Sequence, residues 1–405
     1  MEIKNLIVGQ SGGPTAVINS SLYGVVSEAL SQPSIGKVYG MVNGIEGFLR
    51  GTVLDFEETL FSNDLEKLKT TPGAYLGSCR YKLPEDLDDP VYPVLFQKFK
   101  ELSIGYFFYI GGNDSMDTVS KLSRYAEKIN SDIRVIGEPK TIDNDLVMTD
   151  HTPGFGSAAR YVASTVREIV IDANVYETKS VTIVEIMGRH AGWLTAASAL
   201  ARKSVGDNPL LIYLPETDFD EEAFLEKVKG CFEKNPNVIV CVSEGIHDKN
   251  GTFICEYDNS VGTDTFGHKM LAGCGKYLEN LVRNRLGVKA RSVELNQRCS
   301  ASMMSATDQK EAILAGQFGV REALKGATGK MVSYVRTSDL PYSMTLGLED
   351  VNLICNQEKT VPLEWISKDG SDVTDAFLAY ALPLIQGTVE IPLGTDGLPD
   401  FLSRK

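Results

Sequence analysis

Eight consecutive residues, Glu138-Pro139-Lys140-Thr141-Ile142-Asp143-Asn144-Asp145, place a lysine, a threonine and two aspartates directly after the apolar run 133–136. A segment so placed should emerge from the end of a buried strand. If it stays extended, alternate side chains share a face, and Thr141, Asp143 and Asp145 point to one side. Lys140 could then ground a phosphate while a carboxylate takes a proton from a hydroxyl. That is the equipment of phosphoryl transfer. A polar surface turn with solvated charges would have the same composition, so the segment gains weight only from its company.

Three strand-to-helix turns supply that company. They are Gly9-Gln10-Ser11-Gly12-Gly13-Pro14-Thr15, Ile110-Gly111-Gly112-Asn113-Asp114-Ser115 and Met187-Gly188-Arg189-His190-Ala191-Gly192. Glycine lets backbone N–H groups approach an anion, and a helix N-terminus adds partial positive charge. One such turn is often merely steric. Three in one chain suggest a common crevice, because the C-terminal ends of parallel strands open on one side. None matches G-x-G-x-x-G or G-x-x-x-x-G-K-[ST], which disfavours dinucleotide-binding and P-loop readings.

The elements that must hold these turns alternate along the chain. Buried-strand patterns occupy 6–8, 104–110, 133–136, 181–186, 210–214 and 238–242, and amphipathic helix patterns occupy 16–30, 118–129, 158–171, 221–232 and 271–286. Alternation of this kind predicts an α/β fold with a parallel sheet covered on both faces. A length of 405 residues exceeds what one core usually serves, so two lobes are expected, with a junction near 149–156. Beyond Pro383 the chain reads as irregular.

Charge narrows the function classes. There are 54 acidic and 40 basic residues, a net −14 with no basic stripe, which disfavours nucleic acid or an anionic membrane as the main partner. No window approaches the roughly 18 apolar residues of a membrane helix, and the chain passes from Met1 straight into a strand pattern. The seven cysteines are scattered with no C-x-x-C pair, and the four histidines lack metal spacing. Reduced thiols in a cytoplasmic enzyme are expected, without a structural zinc.

Further segments join the motif and the three turns in a fixed order. They are Leu76-Gly77-Ser78-Cys79-Arg80-Tyr81, Trp193 after the third turn, Pro215-Glu216 and Ser243-Glu244-Gly245. In these strings, spread over roughly residues 5 to 335, the chain resembles the phosphofructokinase family. The resemblance implies two lobes of parallel-sheet sandwich with the active site in the cleft between them. Residues 1–155 would form a phosphoryl-donor lobe completed by part of 299–345, and 156–298 a sugar-phosphate lobe with 346–405 packed as an extension. Asp143 would accept the C1 hydroxyl proton of fructose 6-phosphate, beside Thr141. Met187, Gly188 and Arg189 would contact the sugar and the moving phosphoryl group, and Glu216 the sugar hydroxyls. Gly12, Gly13, Arg80, Gly112 and Asp114 would hold the donor. Mg²⁺ would be held among Asn113, Asp114 and Asp145. Family members bind the 6-phosphate partly with arginines from a neighbouring subunit, which implies a homodimer or homotetramer. Arg291 and Arg298 are the candidates here, although their segment is shortened and lacks the usual histidine.

Two positions bear on the donor. ATP-dependent members carry glycine where this chain has Asp114 and Lys140, whereas members using inorganic pyrophosphate carry aspartate and lysine. The physics agrees: a carboxylate at 114 repels the α-phosphate of a nucleotide, and the lysine supplies charge to a donor without an adenosine anchor. The resemblance therefore implies a pyrophosphate-dependent, readily reversible glycolytic enzyme. The alternatives are an ATP-dependent enzyme of the same fold and a non-catalytic subunit that binds sugar phosphates. The helix 16–30 has no arginine, so the nucleotide regulation of allosteric bacterial members is not expected.

Overall fold

Continuous apolar runs such as Leu6-Ile7-Val8 and 238–242 can only be hidden between two helical layers, and all of these residues are fully buried. The computed structural model describes residues 3–60, 62–257, 273–296 and 300–404. The strands are β1 Lys4–Gln10, β2 Ile35–Met41, β3 Val53–Asp55, β4 Ile104–Gly111, β5 Arg134–Pro139, β6 Ser180–Ile186, β7 Leu211–Tyr213, β8 Asn237–Ser243, β9 Lys289–Leu295, β10 Lys330–Asp339 and β11 Tyr342–Asp350. Seven of them form one sheet in the order β11-β10-β5-β4-β1-β2-β3, and four form a second in the order β7-β8-β6-β9. The second sheet is wholly parallel. The first is parallel except at its two edges, where β2 pairs with β3 and β10 with β11 in antiparallel fashion.

Register brings the site turns together. Gly111 at the end of β4 lies opposite Pro139 of β5, and Gln10 at the end of β1 lies opposite Ile110. In the second sheet Ile186 of β6 lies opposite Ser243 of β8. The larger sheet thus collects its strands from residues 4–139 and 330–350. The stretch from Val361 to Leu384 instead enters the core of the second lobe through Val361, Ile366, Phe377 and Leu384.

The helix expected over 118–129 begins earlier, as Asn113–Lys128 with Gly112 at its N-cap, so the second glycine turn feeds directly into it. Burial decides this, since Met116 and Val119 are fully enclosed against the sheet. No helix among the described residues is long and apolar enough to cross a membrane. None of the six described cysteines is in a disulfide.

One buried charge cluster fastens the 141–152 loop to the edge of the larger sheet. His151, 2% exposed, presents Nδ1 to Asp150 Oδ2 and Nε2 to Glu311 Oε2, both at 2.8 Å. It stacks on Tyr334 at 4.9 Å, and Arg336 forks onto Asp150 at 3.0 to 3.1 Å. Both ring nitrogens face carboxylates, so both should carry protons. Burial alone would depress the His151 pKa; the two carboxylates more than offset it and hold the pKa above the usual range. Because the folded state then binds this proton more tightly, its contribution to stability is complete below about pH 6.5. It is lost as pH rises through the folded-state pKa. His151→Phe is expected to cost about 3 to 5 kcal/mol by leaving Glu311 without its cation. It should also flatten the fall in Tm between about pH 6 and pH 9. Thermal melts of both proteins over that range check this, and parallel profiles would rule out a charged ring.

Candidate active site

The donor-side turn is built on Gly12. Its φ of 77° lies in the left-handed region that favours glycine, and an added Cβ would sit 3.2 Å from Lys140 Nζ. Lys140 is 3% exposed and donates from Nζ to the Gly13 carbonyl at 2.8 Å. Its backbone N–H bonds the Gly111 carbonyl at 2.9 Å, which locks the lysine between the first two glycine turns. Ser78, two residues before Arg80, donates to the Gly12 carbonyl at 2.7 Å. Gly12, Gly13, Gly112, Lys140 and the Arg80 segment are therefore gathered at one end of the larger sheet. Asp114 stands exposed in the first turn of Asn113–Lys128, where a helix N-terminus favours an anion.

The 141–145 segment does not stay extended, so the expected sharing of one face by Thr141, Asp143 and Asp145 does not follow from strand alternation. β5 ends at Pro139, and Asn144 takes a left-handed φ of 56°. The cause is a closed loop. Thr152 donates from its N–H to Asn144 Oδ1 at 3.1 Å and from its hydroxyl to the Thr141 carbonyl at 2.9 Å, while Asn144 Nδ2 donates to Tyr380 Oη at 2.8 Å. Within that loop the Asp143 N–H donates to Thr141 Oγ1 at 3.1 Å, leaving the Asp143 side chain half-buried at the strand end. Glu138 lies inside the lobe instead, close against Gly319 and Phe108. Neither of its oxygens has a partner among the described residues, and burial raises its carboxyl well above the usual range.

In the second sheet, the turn after β6 carries Met187, Gly188 and Arg189. The Gly188 N–H donates to Glu244 Oε1 at 3.3 Å, and Ser243 Oγ bonds the Gly188 carbonyl, which ties the turn to Ser243-Glu244-Gly245. Glu216 follows β7. Its Oε1 accepts from the Gly192 N–H at 2.8 Å and the Val361 N–H at 2.9 Å. A side chain at Gly192 would meet Glu216 Oε2 at 2.6 Å, so glycine is needed for this approach. Oε2 itself is buried and has no partner among the described residues; burial raises the carboxyl despite the two N–H donors. Such an oxygen lacks the hydrogen-bond donor that buried polar groups ordinarily have.

Asp145 has a similar orphan. Its Oδ1 is buried with no partner among the described residues, and its carboxyl is pushed up by burial and by Glu358 nearby. A buried carboxylate oxygen of this kind, with the exposed Asp114 carboxylate, fits a hard divalent cation that takes its remaining ligands from phosphate and water. Asn113 is bonded to the 356–357 stretch. Its amide oxygen accepts the Asn356 N–H at 2.6 Å and its NH₂ donates to the Gln357 carbonyl at 2.5 Å. Among the described residues no three His, Cys, Asp or Glu cluster as a ready-made cage.

Of the two arginines expected at the sugar phosphate, Arg291 is not in this group. Arg298 lies outside the described residues. Arg291 pairs with Thr182, near the start of β6 rather than its end at Ile186. There its Nε donates to Thr182 Oγ1 at 3.2 Å and its Nη2 to Asp172 at 3.0 Å.

Residues 5–321 match the profile of the family described as Phosphofructokinase. The chain belongs to the phosphofructokinase family. It is 40% identical to a pyrophosphate–fructose 6-phosphate 1-phosphotransferase of Xanthomonas campestris pv. campestris, over 99% of this chain and 96% of that one. It is likewise 40% identical to the enzyme of that name from Methylococcus capsulatus, over 100% of this chain and 96% of the relative. A crystal structure titled pyrophosphate-dependent phosphofructokinase from Nitrosospira multiformis matches with a TM-score of 0.90 and 36% identity, covering 99% of this chain and 96% of its own.

Lys359 escaped the sequence reading. Its Nζ donates to the Thr149 and Asp150 carbonyls at 3.0 and 2.8 Å and lies over the Trp193 ring at 5.3 Å. Burial brings its pKa down to about 8 against the pull of Asp150 and Asp145. A lysine in an irregular stretch carries no periodic signal, and only the polar run Asn356-Gln357-Glu358-Lys359-Thr360 between Cys355 and Val361 hints at it.

Proposed function

We propose that this phosphofructokinase transfers a phosphoryl group from inorganic pyrophosphate to the C1 hydroxyl of fructose 6-phosphate, yielding fructose 1,6-bisphosphate and orthophosphate, reversibly. The observation that carries the reading is the Lys140 ammonium, held at 2.8 Å on the Gly13 carbonyl beneath the Gly12 turn, with Asp143 three residues on and Asp114 at the rim. The names of the full-length relatives point the same way.

In this reading Gly12, Gly13, Gly112, Arg80 and Lys140 bind the donor and neutralise charge on its phosphates. Arg189 faces the transferred group, with Met187 and Gly188 beside the sugar. Asp143 takes the C1 hydroxyl proton as the oxygen attacks, and Thr141 holds the Asp143 backbone in place through the 3.1 Å bond. Glu216 orients the sugar through Oε2. Mg²⁺, held by Asp114 and Asp145, would supply further neutralisation of phosphate charge. Positioning and electrostatics carry most of the rate, as phosphoryl transfer asks little covalent chemistry of a protein.

The place of Arg291 supports a site shared between subunits. It stands away from Met187 and Arg189 of its own chain and lines one pocket with Tyr176; Ile171, Val175 and Tyr176, in the stretch that leads into β6, are 64%, 67% and 63% exposed. Such apolar residues next to a cation suit contact with a second copy, whose sugar phosphate Arg291 would reach.

Assaying purified protein with fructose 6-phosphate and either pyrophosphate alone or ATP alone tests the reading. Turnover is expected with pyrophosphate only. Turnover with ATP alone would replace the donor assignment, and turnover with neither would favour a binding subunit.

A further inference from the structure

Between Ile354, buried in the larger-sheet lobe, and Val361, buried in the other, the chain has no regular helix or strand. Residues 356, 357 and 358 are exposed, so apolar burial does not hold them. Their outward bonds and those of Lys359 and Val361 land on the site. Asn356 and Gln357 clasp the two ends of the Asn113 amide. The Lys359 N–H donates to the Asp145 carbonyl at 2.7 Å, and the Lys359 carbonyl accepts from Trp193 Nε1 at 2.9 Å. The Lys359 ammonium holds the Thr149 and Asp150 carbonyls, and the Val361 N–H reaches Glu216 Oε1. The donor turn, the base loop, the sugar-side turn and the sugar acid are all touched within six residues.

We propose that residues 356–361 form a strap that sets the donor turn, the 141–150 loop and the 187–193 turn at their working separation, with Lys359 as its positioning residue. The inference rests on the functional reading above. The donor is held by one lobe and the acceptor hydroxyl largely by the other, so their in-line distance depends on what joins the turns. A displacement of about 1 Å at such a site can cost about 100-fold in rate. An ammonium enclosed on two backbone carbonyls is a costly way to hold an exposed connection. It is a good way to fix one. The same argument explains asparagine at 113, since a carboxylate could not donate to the Gln357 carbonyl.

Lys359→Met keeps the stem over Trp193 and removes the ammonium. It is expected to lower kcat about 10- to 100-fold with KM for each substrate changed less than about threefold. Amide hydrogen exchange without ligands should quicken across 141–150 and 187–193 and stay unchanged in the helix Ala306–Leu324. Asp372→Asn, which breaks the Arg202 fork at 2.9 and 3.0 Å elsewhere in the same extension, should leave kcat alone. Wild-type kcat in Lys359→Met, or exchange rising equally in Ala306–Leu324, would overturn the strap. If Lys359→Met does not fold, Asn113→Ala serves. Faster exchange in 356–361 and 141–150 supports the proposal, and unchanged exchange overturns it. Absence of pyrophosphate turnover in the wild type would defeat the functional reading alone, because exchange reports on the strap without catalysis.

Discussion

Asp143→Ser is expected to lower turnover by about 10²- to 10⁴-fold, the contribution of a well-placed general base, while KM for both substrates stays near the wild-type value. Asp143 is suited to the role because the 141–152 loop is over-determined around it. Its own N–H is fixed on Thr141 Oγ1, Asn144 is pinned to Thr152 and Tyr380, and Lys140 is locked to Gly111 and Gly13. Serine keeps the backbone bond, so the loop should hold and substrates should bind. What goes is the acceptor for the C1 proton. A loss confined to kcat is the signature of an interaction made in the transition state, whereas a rise in KM alone would assign Asp143 to substrate binding. Asp143→Asn is a useful companion, being closer in shape but unable to take the proton. Near-normal turnover in both variants would remove Asp143 from the base role.

The parts of this site that could be read from the sequence are those set by local rules. β1, β4, β5, β6, β7 and β8 are short apolar runs bounded by glycine or proline, and their ends carry the candidate groups. β2 contains two glycines and β9 alternates charged with apolar residues, so neither shows the buried-run pattern. The β10–β11 hairpin places its mixed sequence at a sheet edge, where one side meets water. Glycine turns and the 140–145 string were legible because anion binding and proton transfer need those residue types in series. What could not be read depends on contacts between distant positions. Asn113 and Gln357 are separated by 244 residues, and His151 and Glu311 by 160, yet each pair decides how a site loop is held. The left-handed Asn144 is a local event of the same origin, imposed by Thr152 and Tyr380 against the extended run that alternation suggests.

The Asp114→Gly, Lys140→Gly double variant is expected to shift the ratio of kcat/KM for ATP over pyrophosphate by at least about 100-fold, or about 3 kcal/mol. Both halves of the change have a physical cause. Asp114 is exposed at the N-terminal turn of Asn113–Lys128, where the helix field would otherwise attract a nucleotide phosphate. Its carboxylate cancels that attraction, and like charges brought together cost several kcal/mol. Lys140 works in the opposite sense, as a buried cation beneath the Gly12 turn for a donor that has no adenosine to anchor it. Removing Asp114 alone should relieve ATP exclusion and also weaken pyrophosphate use, since Asp114 is one of the two carboxylates proposed to hold Mg²⁺. Removing Lys140 alone should depress pyrophosphate use, and it also strips the Gly13 carbonyl of its donor and opens a void. The single variants are therefore needed beside the double, since the positions lie near one another and their effects need not add. Lys140→Met fills the void and separates lost charge from lost packing. If all four proteins keep one donor ratio, discrimination lies outside this pair, and the charge argument for pyrophosphate falls with it.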